Sequence, residues 1–248
     1  MPDESSSRGG KGGLFATTHW SLVLAAADTQ NPRSREALAE LCAGYWYPLY
    51  ALVRHLGNDS DAAQDLTQGF FTELLEKKTL AVATPDRGSF RAFLKTSVRH
   101  YLSHERERAQ AQKRGGGHAP IALDLDGAEA RYMSEPGGRQ NPESLFEKRW
   151  ARTLMTRALE ALRAEFERSP NEERYKRLEP FLTGGASPGR GYDRLAVEIN
   201  MSAAALRTAV RRLRKRYGHF LRLEVGRTVS SAEEVDQELR YLFSVIQS

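Results

Sequence analysis

Between Leu206 and Arg222 the sequence LRTAVRRLRKRYGHFLR carries seven basic side chains, Arg207, Arg211, Arg212, Arg214, Lys215, Arg216 and Arg222, and no carboxylate. Cations at this density do one kind of chemistry well. They displace counterions from a polyanion and donate hydrogen bonds to its phosphates, and a guanidinium can also read a guanine edge with two donors. The whole chain of 248 residues has a net charge of +5 and a pI of about 9.4, so everything outside this stretch sums to about −2. Charge this concentrated points to a polyanionic partner. An ordinary solvated helix interleaves acids with bases, and this one does not.

A second segment, FRAFLKTSVRHYLSHERERAQAQKR, mixes aromatic with basic side chains and holds only two acids, Glu105 and Glu107. Rings that stack on bases beside cations that follow a backbone suit single-stranded nucleic acid. Phe90 and Tyr101 fit a core as well as a surface, whereas Phe93 with Arg91, Lys95 and Arg99 makes the better exposed set. No catalytic residues are expected. His100 and His104 are four apart but lack a third ligand, HYLSHE lacks the H-E-x-x-H order of a zinc protease, and the glycine clusters lack the Lys-Ser/Thr of a P-loop. Neither a metal nor a cofactor is expected.

Helices must position these residues, because apolar side chains recur at steps of three and four and no useful alternating pattern occurs. Leu38, Leu41, Cys42, Tyr45, Leu49, Leu52 and Val53 form one stripe, which Pro48 should kink or divide. Asn58 to Ser60 offer caps for a second helix, with Ala62, Leu66, Phe70 and Leu74 as its inner face and Gly69 in its middle. A third carries Phe90, Phe93, Leu94, Ser97, Val98, Tyr101 and Leu102. Asn141-Pro142-Glu143 reads as a helix start, followed by an inner face of Leu145, Phe146, Trp150, Leu154, Ala158, Leu162 and Phe166. A shorter helix surrounds Tyr175, Leu178 and Phe181.

After the loop TGGASPGRG, YDRLAVEI places Leu195, Ala196 and Ile199 on one face, and NMS makes a short turn. Asn200 can take a left-handed backbone there, and Ser202 can cap the next helix. In that helix Leu206, Val210, Leu213 and Tyr217 face inward. Ala204, Arg207, Thr208 and Arg211 then project from its N-terminal half, where a recognition helix meets base edges. Arg212, Arg214, Lys215 and Arg216 lie further along, where phosphates are contacted. Two helices joined by so tight a turn match a helix-turn-helix.

The expected fold class is therefore all-α, with two small helical domains joined by a flexible linker and the second containing the helix-turn-helix. The boundaries are a disordered tail 1–13, a first domain 14–110, a linker 111–141, a second domain 142–229 and a C-terminal amphipathic helix 230–248. That last helix has Val235, Leu239, Leu242 and Phe243 on one face. The linker's 31 residues give a span of about 30 Å and a reach of about 100 Å. The single cysteine, Cys42, excludes an internal disulfide and fits a reducing compartment. No signal-peptide pattern or membrane-length apolar run occurs, so a cytoplasmic location without membrane attachment is expected.

From about Phe15 to Ile246 the order of these segments resembles the extracytoplasmic-function (ECF) class of bacterial RNA polymerase sigma factors. YWYPLYALVRHLGNDSDAAQDLTQGFFTELL is similar to that family's region two. RGSFRAFLKTSVRHYLSHERERAQAQKR resembles the segment that recognises and melts the upstream edge of the transcription bubble, and YDRLAVEINMSAAALRTAVRRLRKRY resembles region four. The resemblance implies that core RNA polymerase is a partner through its β′ clamp and β flap, and that promoter DNA is another. An anti-sigma factor or other regulator would be a third kind. It implies docking on the clamp by Asp61, Gln64, Asp65 and Gln68, −10 DNA contacts by Arg91, Phe93, Lys95, Arg99 and Arg106, and −35 contacts by Ser202, Ala204, Arg207, Thr208, Arg211, Arg212, Arg214 and Lys215. Gly69 departs from the family pattern, in which an acid commonly follows Gln68. The linker acids Asp124, Asp126, Glu129 and Glu135 fit a linker that threads a positively charged channel of the polymerase. Two other readings stand beside this one: a stand-alone helix-turn-helix regulator, and a sigma-like protein-interaction module without DNA specificity.

Overall fold

The computed structural model describes residues 20–28, 30, 32–76, 80, 89–111, 127–135, 141–182, 195–227, 229 and 231–247. The N-terminal tail, the linker acids Asp124 and Asp126, and the loop 183–191 lie outside them. Among the described residues every regular element is helical and none is a strand. The helices are α1 (Trp20–Ala27), α2 (Ser34–His55), α3 (Ser60–Glu76), α4 (Phe90–Ala111), α5 (Ala128–Ser134), α6 (Pro142–Phe166), α7 (Glu172–Leu178), α8 (residues 195–198), α9 (Ala203–Gly226) and α10 (Ala232–Gln247). A 3-10 turn, Glu179–Phe181, follows α7. No described helix is long and apolar enough to cross a membrane.

Pro48 does not divide its helix. It lies buried inside the uninterrupted α2, flanked by the buried Tyr47, Leu49 and Tyr50. A proline here removes one backbone hydrogen bond at a cost of about 3 kcal/mol. Burial on nearly every side of the helix outweighs that cost, because tertiary packing supplies most helical stability. The start of α3 is set by Asp59, whose carboxylate accepts from the Ala62 amide at 2.8 Å. Its buried face is rotated from the expected one. Ala63, Thr67, Phe70, Phe71 and Leu74 are buried, while Ala62 and Leu66 are only half-buried.

The expected linker contains α5, and α5 is docked. Arg54 of α2 grips Glu129 with two donors, Nε at 2.9 Å and Nη2 at 2.6 Å, and the Tyr50 hydroxyl donates to the same carboxylate at 2.5 Å. The Arg54 guanidinium, then the Tyr50 hydroxyl, hold the Glu129 carboxyl below the usual carboxylate range. Glu135, just past α5, pairs with the fully buried Arg149 of α6, and Arg149 also donates to the Tyr47 hydroxyl at 2.9 Å. These two acids therefore face arginines of their own chain. A charge buried as deeply as Arg149 needs a partner, and α5 brings one.

The principal apolar cluster runs from Val23 to Leu242 and draws on both sides of that segment. It joins α1, α2, α3 and α4 to Phe146, Trp150, Ala151, Leu154 and Ala158 of α6, Leu221 and Val225 of α9 and Leu242 of α10. A smaller cluster lies at the far end of α6, where Leu162 meets Tyr175, Leu178, Phe181, Ala196, Leu206, Val210 and Leu213. The helix α10 packs on α6 and α9. Its apolar face is centred on Leu242, with Val235 and Leu239 half-buried, but Phe243 is exposed rather than on the inner face.

Candidate nucleic-acid interface

The turn that launches α9 is built from backbone chemistry. The amide of Met201 donates to the Ala196 carbonyl at 2.8 Å, and that of Asn200 to Val197 at 3.2 Å. This is the Schellman pattern that closes a helix, and it needs a left-handed residue between helix and turn. Asn200 supplies it with φ 51°. Two residues later the Ser202 hydroxyl accepts from the Ala205 amide at 3.2 Å and caps α9. Leu206, Val210 and Leu213 are buried against Ala196 and the α7 residues, and the Tyr217 hydroxyl donates to the Met155 carbonyl at 3.1 Å.

With those side chains facing inward, Ala204, Arg207, Thr208, Arg211, Arg212 and Lys215 all face solvent. Among the described residues no carboxylate pairs with Arg207, Arg211, Arg212 or Lys215. The other three cations of the stretch are engaged. Arg214 donates to the Phe181 carbonyl at 3.0 Å, and Arg216 pairs with Glu165 at 2.7 Å. Arg222 pairs with Asp236 of α10. The continuous basic run thus resolves into an open row on the first four turns of α9 and three anchors that fix the helix to its neighbours. Beside the row, a cleft of about 370 Å³ is floored by Phe166 and Tyr175, stacked at 4.7 Å, and rimmed by Arg174, Arg212 and Arg216.

The cations of α4 are placed differently. Arg91 is buried, at 8% exposure. Its Nε lies 2.7 Å from Glu147 of α6, and its Nη1 pairs with Glu238 of α10. Its guanidinium lies between the rings of Trp150, at 4.3 Å, and Tyr241, at 4.4 Å. Lys95 also pairs with Glu147, and Arg99 pairs with Glu143. Arg106, about two turns further on, is exposed. Phe93 is half-buried, stacked on the buried Phe90 at 5.9 Å. With Phe70, Tyr101, His100 and His104 it lines a cleft of about 300 Å³ between α3 and α4. The described residues hold no group of three or more metal-ligating side chains.

On α3, Asp61 and Asp65 are exposed and Gln64 and Gln68 half-buried, on the side away from the buried Ala63 and Phe70. Gly69 stands beneath Tyr101. A Cβ there would fall well inside contact distance of the Tyr101 hydroxyl and 3.4 Å from its Cζ, so the glycine is explained by the α3–α4 packing.

Glu143, Glu147 and Glu238 are the residues that sequence reasoning missed. The signal was present in the spacing, since Glu143 and Glu147 step by four on α6 as Arg91, Lys95 and Arg99 do on α4. No protein-family model, curated protein or solved structure matches this chain.

Proposed function

We propose that the chain is a promoter-specificity subunit of the extracytoplasmic-function sigma type, which binds core RNA polymerase, reads duplex DNA with α9 and engages the opened strand through α4. The observation that carries this reading is the row Arg207, Arg211, Arg212 and Lys215, exposed and without a carboxylate partner among the described residues on a helix launched by a tight turn. Four uncompensated cations on one side of a helix repel one another, and a polyanion removes that repulsion. In this reading α8, the turn 199–202 and α9 act as a helix-turn-helix of a second domain, with the start of α9 in the major groove. The acid-bearing face of α3 gives the polymerase contact, and the cleft at Phe93 lies where an unstacked base would be held.

A stand-alone helix-turn-helix regulator is the second reading. It is favoured by one observation, that Arg91, Lys95 and Arg99 are already paired within the chain. Run-off transcription with purified core polymerase on genomic fragments separates the two. New, sequence-specific transcripts that require this chain are the expected outcome. Duplex binding without polymerase association would overturn the proposal and favour the regulator.

A further inference from the structure

The three cations at the start of α4 and three carboxylates from elsewhere in the chain form a matched set. Arg91, Lys95 and Arg99 step by four and therefore share one helical face. Facing them are Glu143 and Glu147, also four apart on α6, and Glu238 on α10. The set closes over a buried floor, because Arg91 is held between Trp150 and Tyr241, and Lys95 Nζ lies 5.9 Å from the Phe146 ring. Phe146 and Trp150 are themselves fully buried against α2 and its neighbours. The open row on α9 has no such counterpart among the described residues.

We infer that α6 and α10 form an intramolecular cover over the nucleic-acid face of α4, so that the carboxylates of the cover and the phosphates of a single strand compete for the same cations. The inference rests on the proposed role of α4. A phosphate backbone and the three carboxylates cannot both hold Arg91, Lys95 and Arg99, so strand binding requires α10 to lift from α4 and the two α6 carboxylates to release their cations, while α6 itself stays packed on α2. The covered form keeps α9 open while α4 is blocked, and so separates duplex recognition from strand engagement. Lifting of α10 takes Tyr241 off the Arg91 guanidinium and opens the Trp150 ring face beneath it, and any partner that binds only the lifted form shifts the equilibrium by its differential affinity.

The test uses the full chain carrying Glu147→Gln with Glu238→Gln, which leaves Arg91 without a charged partner and disfavours the covered form. Two quantities are read. The first is the affinity for a labelled single-stranded oligodeoxythymidine of about 15 nucleotides. The second is acrylamide quenching of Trp150 in a chain whose other tryptophans, Trp20 and Trp46, are replaced by Phe. A control, Glu167→Gln with Glu233→Gln, removes two charges at exposed positions that, among the described residues, pair with no cation of α4.

The expected result is binding tighter by about tenfold than in the control, together with stronger quenching. Equal affinity in variant and control with unchanged quenching overturns the cover. Equal gains in both overturn it as well, since net charge alone then explains them. Stronger quenching without a gain in affinity shows that the contact opens but that α4 does not hold nucleic acid, which sinks the inference and the α4 part of the proposed function while leaving α9 untouched. Should the double variant fail to fold, Glu143→Gln removes only the half-buried partner of Arg99. It is expected to tighten binding by about twofold to threefold, and no change relative to Glu167→Gln overturns the cover.

Discussion

Two cations eight residues apart on α9 are expected to do different work. Arg207 lies in the second turn, next to Ala204 and Thr208, where a side chain reaches base edges, while Lys215 lies two turns further along. Replacing Arg207 with Ala should relax preference at one base position by about 1–3 kcal/mol, whereas Lys215→Ala should weaken all sequences alike and reduce the salt slope by about one. Binding titrations against a panel of single-base variants at several salt concentrations measure both. Uniform weakening by Arg207→Ala would remove it from base reading. At the same scale, Gly69 is set by Tyr101. Gly69→Ala alone should destabilise by about 1 kcal/mol, because the rigid ring of Tyr101 must move. In a Tyr101→Phe background the remaining 3.4 Å approach to Cζ is ordinary contact, and the same change should stabilise by up to about 1 kcal/mol through helix propensity. Urea unfolding of the four proteins of this cycle decides it, and additive effects would separate the two residues.

At the level of elements, local chemistry and packing control different features. The boundaries that the side chains dictate are where the sequence places them. Asn141 caps α6, Ser202 caps α9, and Asn200 takes the left-handed turn. Ser202→Ala should cost about 1 kcal/mol, observed as a lower melting temperature, and should weaken duplex binding further by loosening the first turn of α9. Unchanged stability would mean that the 3.2 Å hydrogen bond contributes nothing. Elements that depend on burial behave otherwise. Proline chemistry alone predicts a break in α2, but the surrounding Tyr45, Tyr47, Leu49 and Tyr50 keep the helix whole. The short α5 has too little apolar periodicity to be read from its own sequence. It exists where Glu129 meets Arg54 and where Ala128 is buried in the main cluster. An isolated helix of that length is unstable in water.

At the scale of the whole molecule, ion pairs across long sequence separations hold the halves together. Among the described residues Arg149 is the most deeply buried charge, and Glu135 is its carboxylate partner, with Arg131 and Arg152 sharing that acid. Glu135→Gln should therefore cost about 3–5 kcal/mol, because it strands a buried guanidinium. Arg149→Met should cost much less, since Glu135 keeps two other cations and the space stays filled by an apolar chain of similar length. Denaturant midpoints of the two variants test the order, and a larger loss in Arg149→Met would show that the pair itself is stabilising. The Arg157–Glu224 pair at 2.7 Å and the Arg227–Glu40 pair at 2.5 Å join α6 to α9 and α9 back to α2 in the same way.

Taken by itself, the sequence determined what depends on a few neighbouring residues. Helical periodicity gives an all-helical chain, caps and turn residues place the ends of α6 and α9, and apolar spacing puts Arg207, Arg211, Arg212 and Lys215 outward. Each of these follows from chemistry within one or two turns, so no knowledge of the remaining chain is needed. Tertiary structure decided which helices meet. The acids of α6 and α10 that cover Arg91, Lys95 and Arg99 lie up to 147 residues away, and spacing along one helix cannot say which other helix faces it. Likewise Arg214, Arg216 and Arg222 look the same in sequence as their solvent-facing neighbours. Only the positions of the Phe181 carbonyl, Glu165 and Asp236 turn these three into anchors, because electrostatic pairing is set by distance in space rather than by order along the chain.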